Sequence, residues 1–570
     1  MKLFCKFLLS LIFFSSSILF SQESIDDATK KHDLIYKNVD KIQPLIKEYV
    51  EMMADGSTMK IEGEKIYATE VLKEFYKLNN YAPAWVDHDA WLDAFEALEG
   101  SFEDGLLPDD YHMDGMLKII EKVKDFDDAG DFDFEWVAKF DLLMTDAILL
   151  YAYHLLEGKV DPHDLDIQWN FDYTELPGGD GQGLSKAIRN KTVSTELLKL
   201  RPQQAGYTMM MNELAKYREI AEKGGWGKIS DGGKIDPGDA DSRVPEIRKR
   251  LSLSDDLTDQ SALASETYDA SLEKDIRYFQ EKHGLDSDGI IGKGTFGALN
   301  IPVEDKIDQL RVNLERSRWI MHNLSEDFIL VNIARFMAYT VQNNEFTFST
   351  NVQVGTYYNK TPVFKSKLKY IEFNPTWTVP RSITVNEMIP KIKKDHDYLK
   401  SKNMVLLDGS GKIVPFSSVD FDNISAKNFP YVIRQEPGPG NALGEVKFIF
   451  PNQYSVYLHD TPSKYLFDKA SRSFSHGCIR TQNPLQLAEV LLKGTDWDKQ
   501  KIQETLDSKQ TARAYFDEPF DVLLLYWTAG KYKEESIFYF PDIYKRDKPI
   551  LDKLDKEVEV VAFKKLKKKE

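Results

Sequence analysis

Cysteine is almost missing from this sequence: 570 residues hold two, Cys5 and Cys478. A disulfide framework is therefore excluded. Long apolar runs are missing too. None follows the one at the N-terminus, which excludes a polytopic membrane protein. Basic residues are in deficit, with 74 Lys and Arg against 92 Asp and Glu and a formal net charge of −18. A field of that sign repels nucleic acid and anionic lipid, so no nucleic-acid partner is expected.

The one apolar run opens the chain. In MKLFCKFLLSLIFFSSSILFSQESIDD, Lys2 and Lys6 precede apolar residues from Phe7 to Phe20, and small polar residues follow. That order predicts a secretory signal over 1–21, cleaved near Ser21, and a periplasmic mature protein. An uncleaved anchor is the alternative. Cys5 leaves with the signal and Cys478 remains as a single thiol. It cannot pair within the chain. It is either buried and inert or kept for its reactivity.

A chain of 570 residues with 42% hydrophobic and 29% charged residues is globular and needs several cores. The fold class expected is multidomain α+β. Residues 22–60 are polar and read as a lead-in segment. Residues 61–242 read as a helical unit: ATEVLKEFYKL and VAKFDLLMTDAILLYAYHLLEGKV repeat apolar residues at three and four. GGWGKISDGGKIDPGDADSR, from Gly224 to Arg243, packs glycine, proline and aspartate as a linker does. A small three-helix unit follows over 243–302. Residues 303–545 are rich in strands, among them EVKFIFP, YSVYLHDTP and DVLLLYWTA, the last expected to return to the same sheet. A helical and Gly/Pro-rich insertion over 383–440 interrupts them, and insertions of that length are usually lids or binding loops. Residues 546–570 form a charged tail, read as solvated.

The single thiol sits in YLHDTPSKYLFDKASRSFSHGCIR, beside Gly477 and near His459 and His476. A free thiol is about 3% thiolate at pH 7, so ionisation alone gains at most roughly 30-fold. Positioning and oxyanion stabilisation have to supply the rest, and one oxyanion donor is worth about 10²–10³. Gly477 permits a tight turn that can aim its own N–H and that of Cys478 at a developing oxyanion. His459 ends a strand-like run far enough upstream for a hairpin return, and can act as general base. Asp460 can orient the ring through its side chain or backbone. The other readings are a pair of structural histidines, or a zinc site, which lacks a fourth nearby ligand.

SHGCIR with an upstream histidine resembles the catalytic signature of the L,D-transpeptidases, the YkuD-type domain. TPVFKSKLKYIEFNPTWTVPRSI, PGPGNALGEVKFIFPNQYSVYLHDTP and RSFSHGCIR are similar to the long, multidomain members of that family. VPEIRKRL and IRYFQEKHGLDSDGIIGKGTFGALN resemble a peptidoglycan-binding domain, and FYKLNNYAPAWVD and DGLLPDDYH resemble the family's helical scaffold. The resemblance implies a β-rich catalytic domain with a lid, a three-helix peptidoglycan-binding domain and a helical scaffold domain. It implies Cys478 as nucleophile and His459 as proton donor and acceptor, with His476, Gly477 and Asp460 in support. Arg480 stands where shorter members carry asparagine, which implies a charge role toward the thiolate or a substrate carboxylate. Trp377 and Arg381 are candidate donor-site residues. The implied donor is a peptidoglycan tetrapeptide stem and the implied acceptor the side-chain amine of a diamino acid. No cofactor and no metal are called for, and other wall-synthesis proteins are candidate partners. A cysteine hydrolase of wall peptides remains the rival activity. A wall-binding protein with a relic site is disfavoured by the intact His459, Gly477 and Cys478.

Overall fold

The computed structural model describes residues 35–53, 59–123, 132–165, 169–171, 181–230, 232–532 and 536–558. The expected signal over 1–21 and the basic stretch at the extreme C-terminus lie outside the described residues.

The helical unit is built around the helix Glu135–Glu157. Its 23 residues bury apolar side chains on every side, Leu142, Leu143, Met144, Ala147 and Ile148 among them, so it runs through the bundle interior. Among the described residues no helix is long and apolar enough to cross a membrane. The helix Val39–Met52 packs against the same core through Ile42, Ile46 and Val50, spaced one turn apart. The lead-in expected over 22–60 is thus, in part, the first helix of the bundle.

The small unit has the three helices expected, Val244–Leu253, Ala270–Lys282 and Lys293–Leu299, closed on a core of their own that includes Ile247, Leu251, Ile276 and Phe279. Ile229 and Ile235 enter that core, and Ile235 bridges to Ile291. The stretch read as a linker therefore donates two buried side chains. Glycine and proline dominated that reading, and the two isoleucines among them were the opposing signal.

The helix Val303–Arg318 ties the units together. Arg311 Nε donates to the carbonyl of Gly105 at 3.0 Å, and Arg318 Nη1 donates to that of Asp104 at 2.8 Å. The helix Asp547–Leu554 packs on it and buries Ile550 and Leu554, while Asp547 pairs with Arg316 at 2.7 Å. The charged tail expected from 546 onward is therefore a docked helix at its start. Its apolar residues, spaced at four, were masked by the lysines around them.

The β-rich unit is an 11-stranded sheet. Its strands lie in the order Ala512–Tyr515, Tyr370–Phe373, Val446–Ile449, Leu458–His459, Ile479–Thr481, Glu345–Gly355, Met337–Gln342, Phe328–Asn332, Asp521–Leu525 and Phe364–Lys367, with Ser473–Ser475 beside Glu345–Gly355. Phe364–Lys367 ends the order at one edge, yet only Leu368 and Lys369 separate it from Tyr370–Phe373, next to the opposite edge. So short a connection requires the sheet to curl until its ends approach. Asp521–Leu525, buried at every position, does return to this sheet, parallel to Phe328–Asn332. The insertion is more than helices and loop. It carries its own four-stranded sheet, from Trp377–Thr378 through Met404–Leu407 and Ile413–Val414 to Val432–Gln435, over a separate core that includes Ile392, Leu406 and Ile433. It thus begins at Trp377, before the 383 expected.

Candidate active site

The strands Leu458–His459 and Ile479–Thr481 are neighbours and parallel, with Leu458 opposite Ile479 and His459 opposite Arg480. The hairpin return expected between them is replaced by a crossover, as parallel pairing demands. The intervening chain forms the turn Lys464–Asp468 and the strand Ser473–Ser475, which joins Glu345–Gly355. Strand alternation puts Tyr457 with His459, and Cys478 with Arg480, all on one face. The Tyr457 and His459 rings stand edge to face at 5.6 Å.

His459 is buried, 4% exposed. Its Nδ1 donates to the backbone carbonyl of Asp460 at 2.5 Å, which leaves Nε2 as the acceptor. Burial first, then the Arg480 guanidinium, pushes its pKa down to about 3. The imidazole is therefore neutral at any physiological pH. Asp460 orients it through the backbone only. The Asp460 carboxylate accepts from the amides of Thr461 at 2.7 Å and Glu445 at 2.9 Å, and pairs with Lys464 at 2.6 Å. That arrangement fixes a glycine. At Gly444, φ is +62° and a Cβ would lie 2.1 Å from Asp460 Oδ2.

Cys478 is half-buried and its Sγ donates to the carbonyl of Ser455 at 3.6 Å. Burial pushes the thiol above its ordinary pKa, against bonds from Tyr457 and the charges of Lys447 and Arg480. The Tyr457 hydroxyl acts on the sulfur and lowers the thiol's pKa, and the Trp377 indole acts on the same hydroxyl. Trp377, half-buried at the root of the insertion, thus lies near the tyrosine beside the thiol.

The loop carrying Cys478 is tied from within and from behind. The Gly477 amide donates to Ser475 Oγ at 3.0 Å, and Ser475 Oγ donates to the Cys478 carbonyl at 2.5 Å. The Gly477 carbonyl accepts from Thr361 Oγ1 at 2.9 Å. Gly477 has φ +116°, a conformation that L side chains rarely adopt. Its amide is thus spent inside the loop. Of the two amides expected to face an oxyanion, the Cys478 N–H alone has no partner among the described residues.

His476 meets the insertion. It is exposed, and its Nε2 meets Glu387 Oε1 of the insertion at 3.0 Å. Arg381 also serves the insertion: Nη1 donates to the Phe429 carbonyl at 2.7 Å and Nη2 to that of Ala426 at 2.6 Å. Arg480 Nη1 donates to Gln353 Oε1 at 3.2 Å. Among the described residues, no three or more His, Cys, Asp or Glu are grouped to hold a metal ion.

Sequence reasoning passed over Lys447. It lies directly opposite His459 on the strand Val446–Ile449, with Nζ 4.0 Å from the centre of the Tyr457 ring. Tyr457, Ser475 and Thr361 were missed with it. Tyr457 had a local signal, two residues before His459 in an alternating run. Thr361 had none, since its bond spans more than a hundred residues.

Comparisons with known proteins agree with this layout. Residues 326–502 match the YkuD family, described as "L,D-transpeptidase catalytic domain"; residues 70–214 match "Scaffold domain"; residues 241–299 match "Putative peptidoglycan binding domain". A Haemophilus influenzae protein described as "Putative L,D-transpeptidase" is 36% identical over 250 residues, which cover 43% of this chain and 50% of that one. The chain thus spans half the length of that relative. The N-acetylmuramoyl-L-alanine amidase CwlM of Mycobacterium tuberculosis is 38% identical over 76 residues, 12% of this chain and 19% of that one. A solved L,D-transpeptidase from Xylanimonas cellulosilytica aligns at 13% identity with a TM-score of 0.18, over 52% of this chain and 99% of that one, an overlap too slight to argue from. The chain joins, in one polypeptide, a YkuD-type L,D-transpeptidase catalytic domain, a peptidoglycan-binding domain and a scaffold domain.

Proposed function

We propose that this protein is an exported L,D-transpeptidase that cross-links the third residues of peptidoglycan stem peptides in the periplasm. The observation that carries this reading is a lone thiol and a neutral, carbonyl-oriented imidazole on one face of two adjacent parallel strands. Cys478 attacks the carbonyl of the donor's third residue as its proton passes to His459 Nε2. The tetrahedral oxyanion is met by the Cys478 amide. His459 returns the proton to the departing D-alanine nitrogen, and a thioester remains. The side-chain amine of a second stem then attacks the thioester, loses its proton to His459, and releases the thiol.

Resting thiol and imidazole are both neutral, so proton transfer accompanies attack rather than precedes it. The insertion from Trp377 onward, tied to the nucleophile loop by Glu387 and His476, acts as a lid that limits water and favours amine over hydrolysis. The resemblance also implies that carbapenems, which carry a strained acyl group, acylate the same sulfur.

Product analysis tests the activity. A tetrapeptide donor with an excess of diamino-acid acceptor is expected to give cross-linked dimer as its main product. Tripeptide alone, at any acceptor concentration, would mark the protein as a cysteine hydrolase instead.

The three-helix domain is proposed to hold the enzyme on its polymer. Because its core includes Ile229 and Ile235, the fragment to test runs from Trp226 to Pro302. It is expected to sediment with purified sacculi. Sedimentation no greater than that of an unrelated protein would make the domain a brace for the catalytic unit.

A further inference from the structure

One row of side chains crosses the sheet on the face of the thiol. Successive strand partners are Arg513, Glu372, Lys447, His459, Arg480 and Gln353. The acids near this row are already engaged: Glu372 pairs with Arg513 at 2.8 Å, and Asp460 with Lys464 at 2.6 Å. Lys447 and Arg480 flank His459 on either side, and neither has a carboxylate within ion-pair distance among the described residues. Both are half-buried. Burial lowers both pKa values; at Lys447 the Glu372 carboxylate and then the Cys478 sulfur oppose it, and at Arg480 the Cys478 sulfur does.

Glu372, the carboxylate beside Lys447, is shared with Arg513, and the Tyr457 ring under the ammonium carries no full charge, so the half-buried cation is only partly compensated and an arriving anion relieves the remaining cost. The thiol does not supply that anion at rest, because burial raises its pKa. A ligand can. The order of the row says which part of a ligand. His459 has to reach the nitrogen that leaves, and Lys447 is the next side chain beyond His459, on the side away from Cys478 and Arg480. Neighbouring strands are about 5 Å apart. In a donor cleaved before its last residue, the terminal carboxylate lies one carbon from the leaving nitrogen. A group leaving over His459 therefore carries its carboxylate toward the Lys447 ammonium.

We propose that Lys447 is a specificity-determining residue that binds the terminal α-carboxylate of the donor peptide, so that the enzyme selects donors whose leaving group is a free amino acid. This rests on the acyl-transfer reading above. Arg480, on the thiol's own strand, is left to face the acyl side of the donor.

The test compares two tetrapeptide donors, one ending in a free acid and one in a carboxamide, by rate of acylation of the full-length protein. The wild type is expected to favour the acid by on the order of 10–100-fold, the range of a charge-assisted bond. Lys447→Gln should bring that preference to within about threefold, the acid donor slowing far more than the amide donor. Lys447→Arg should keep most of the preference. Iodoacetate and iodoacetamide supply a second readout that needs no peptide: the ratio of their rates at Cys478 should fall in Lys447→Gln. Equal slowing of both donors, or an unchanged preference, would overturn the proposal. So would a preference that disappears only when the donor's side-chain carboxylate is amidated. If neither peptide acylates the wild type while the alkylation ratio still falls, the anion site stands and the transpeptidase reading fails.

Discussion

Cys478→Ala is expected to abolish acylation by a tetrapeptide donor, with no cross-linked product and no carbapenem adduct. The substitution deletes one sulfur, whose one hydrogen bond among the described residues is to the Ser455 carbonyl. The ties that shape the loop run through Ser475, Gly477 and Thr361 and do not involve the side chain. The fold and melting temperature should therefore stay close to wild type while activity falls below detection. Cys478 is the only free cysteine among the described residues. An adduct that persists in the variant would move the nucleophile elsewhere.

The second large effect separates the two histidines. His459→Ala is expected to slow acylation by about 10²–10⁴, the range for a lost general base, and well past the roughly 30-fold that thiol ionisation could explain. The pH profile should change with it. In the wild type His459 is neutral down to about pH 3 and Cys478 stays protonated beyond the ordinary cysteine range. Both groups are thus in their reactive forms across the neutral range, and kcat/KM should be flat from roughly pH 5 to 8. Without His459 the reaction needs a thiolate, so the rate should rise about tenfold per pH unit over that span. His476→Ala removes an exposed polar contact to Glu387, worth at most about 1 kcal/mol. It should cost no more than about fivefold and keep the flat profile. Single-turnover acylation at several pH values decides. A rising profile in His476→Ala with a flat one in His459→Ala would exchange the two roles.

Much of this site could be read before any coordinates, because its chemistry is local in sequence. SHGCIR holds the thiol, its turn and His476 together, and YLHD gives His459 and the carbonyl that orients its ring. What stayed hidden depends on register and curl. Lys447 and His459 become neighbours only through strand pairing, and Arg480 joins them through a parallel crossover that a hairpin reading would have missed. Burial then changes the chemistry: a histidine that reads as an ordinary base has its pKa driven down to about 3. The expectation of two oxyanion amides failed for a similar reason. Gly477 does turn the chain, but the turn points its N–H at Ser475. Boundaries were misplaced where composition outweighed periodicity. Ile229 and Ile235 sit among glycines, and Ile550 and Leu554 among lysines, yet all four are buried.

The most direct test of the account is intact-protein mass spectrometry of the full-length wild type after exposure to a tetrapeptide donor without acceptor. The account predicts a mass gain equal to the donor less its terminal alanine, mapped to the peptide containing Cys478 and discharged when a diamino-acid amine is added. No gain, or a gain on any other residue, would contradict it.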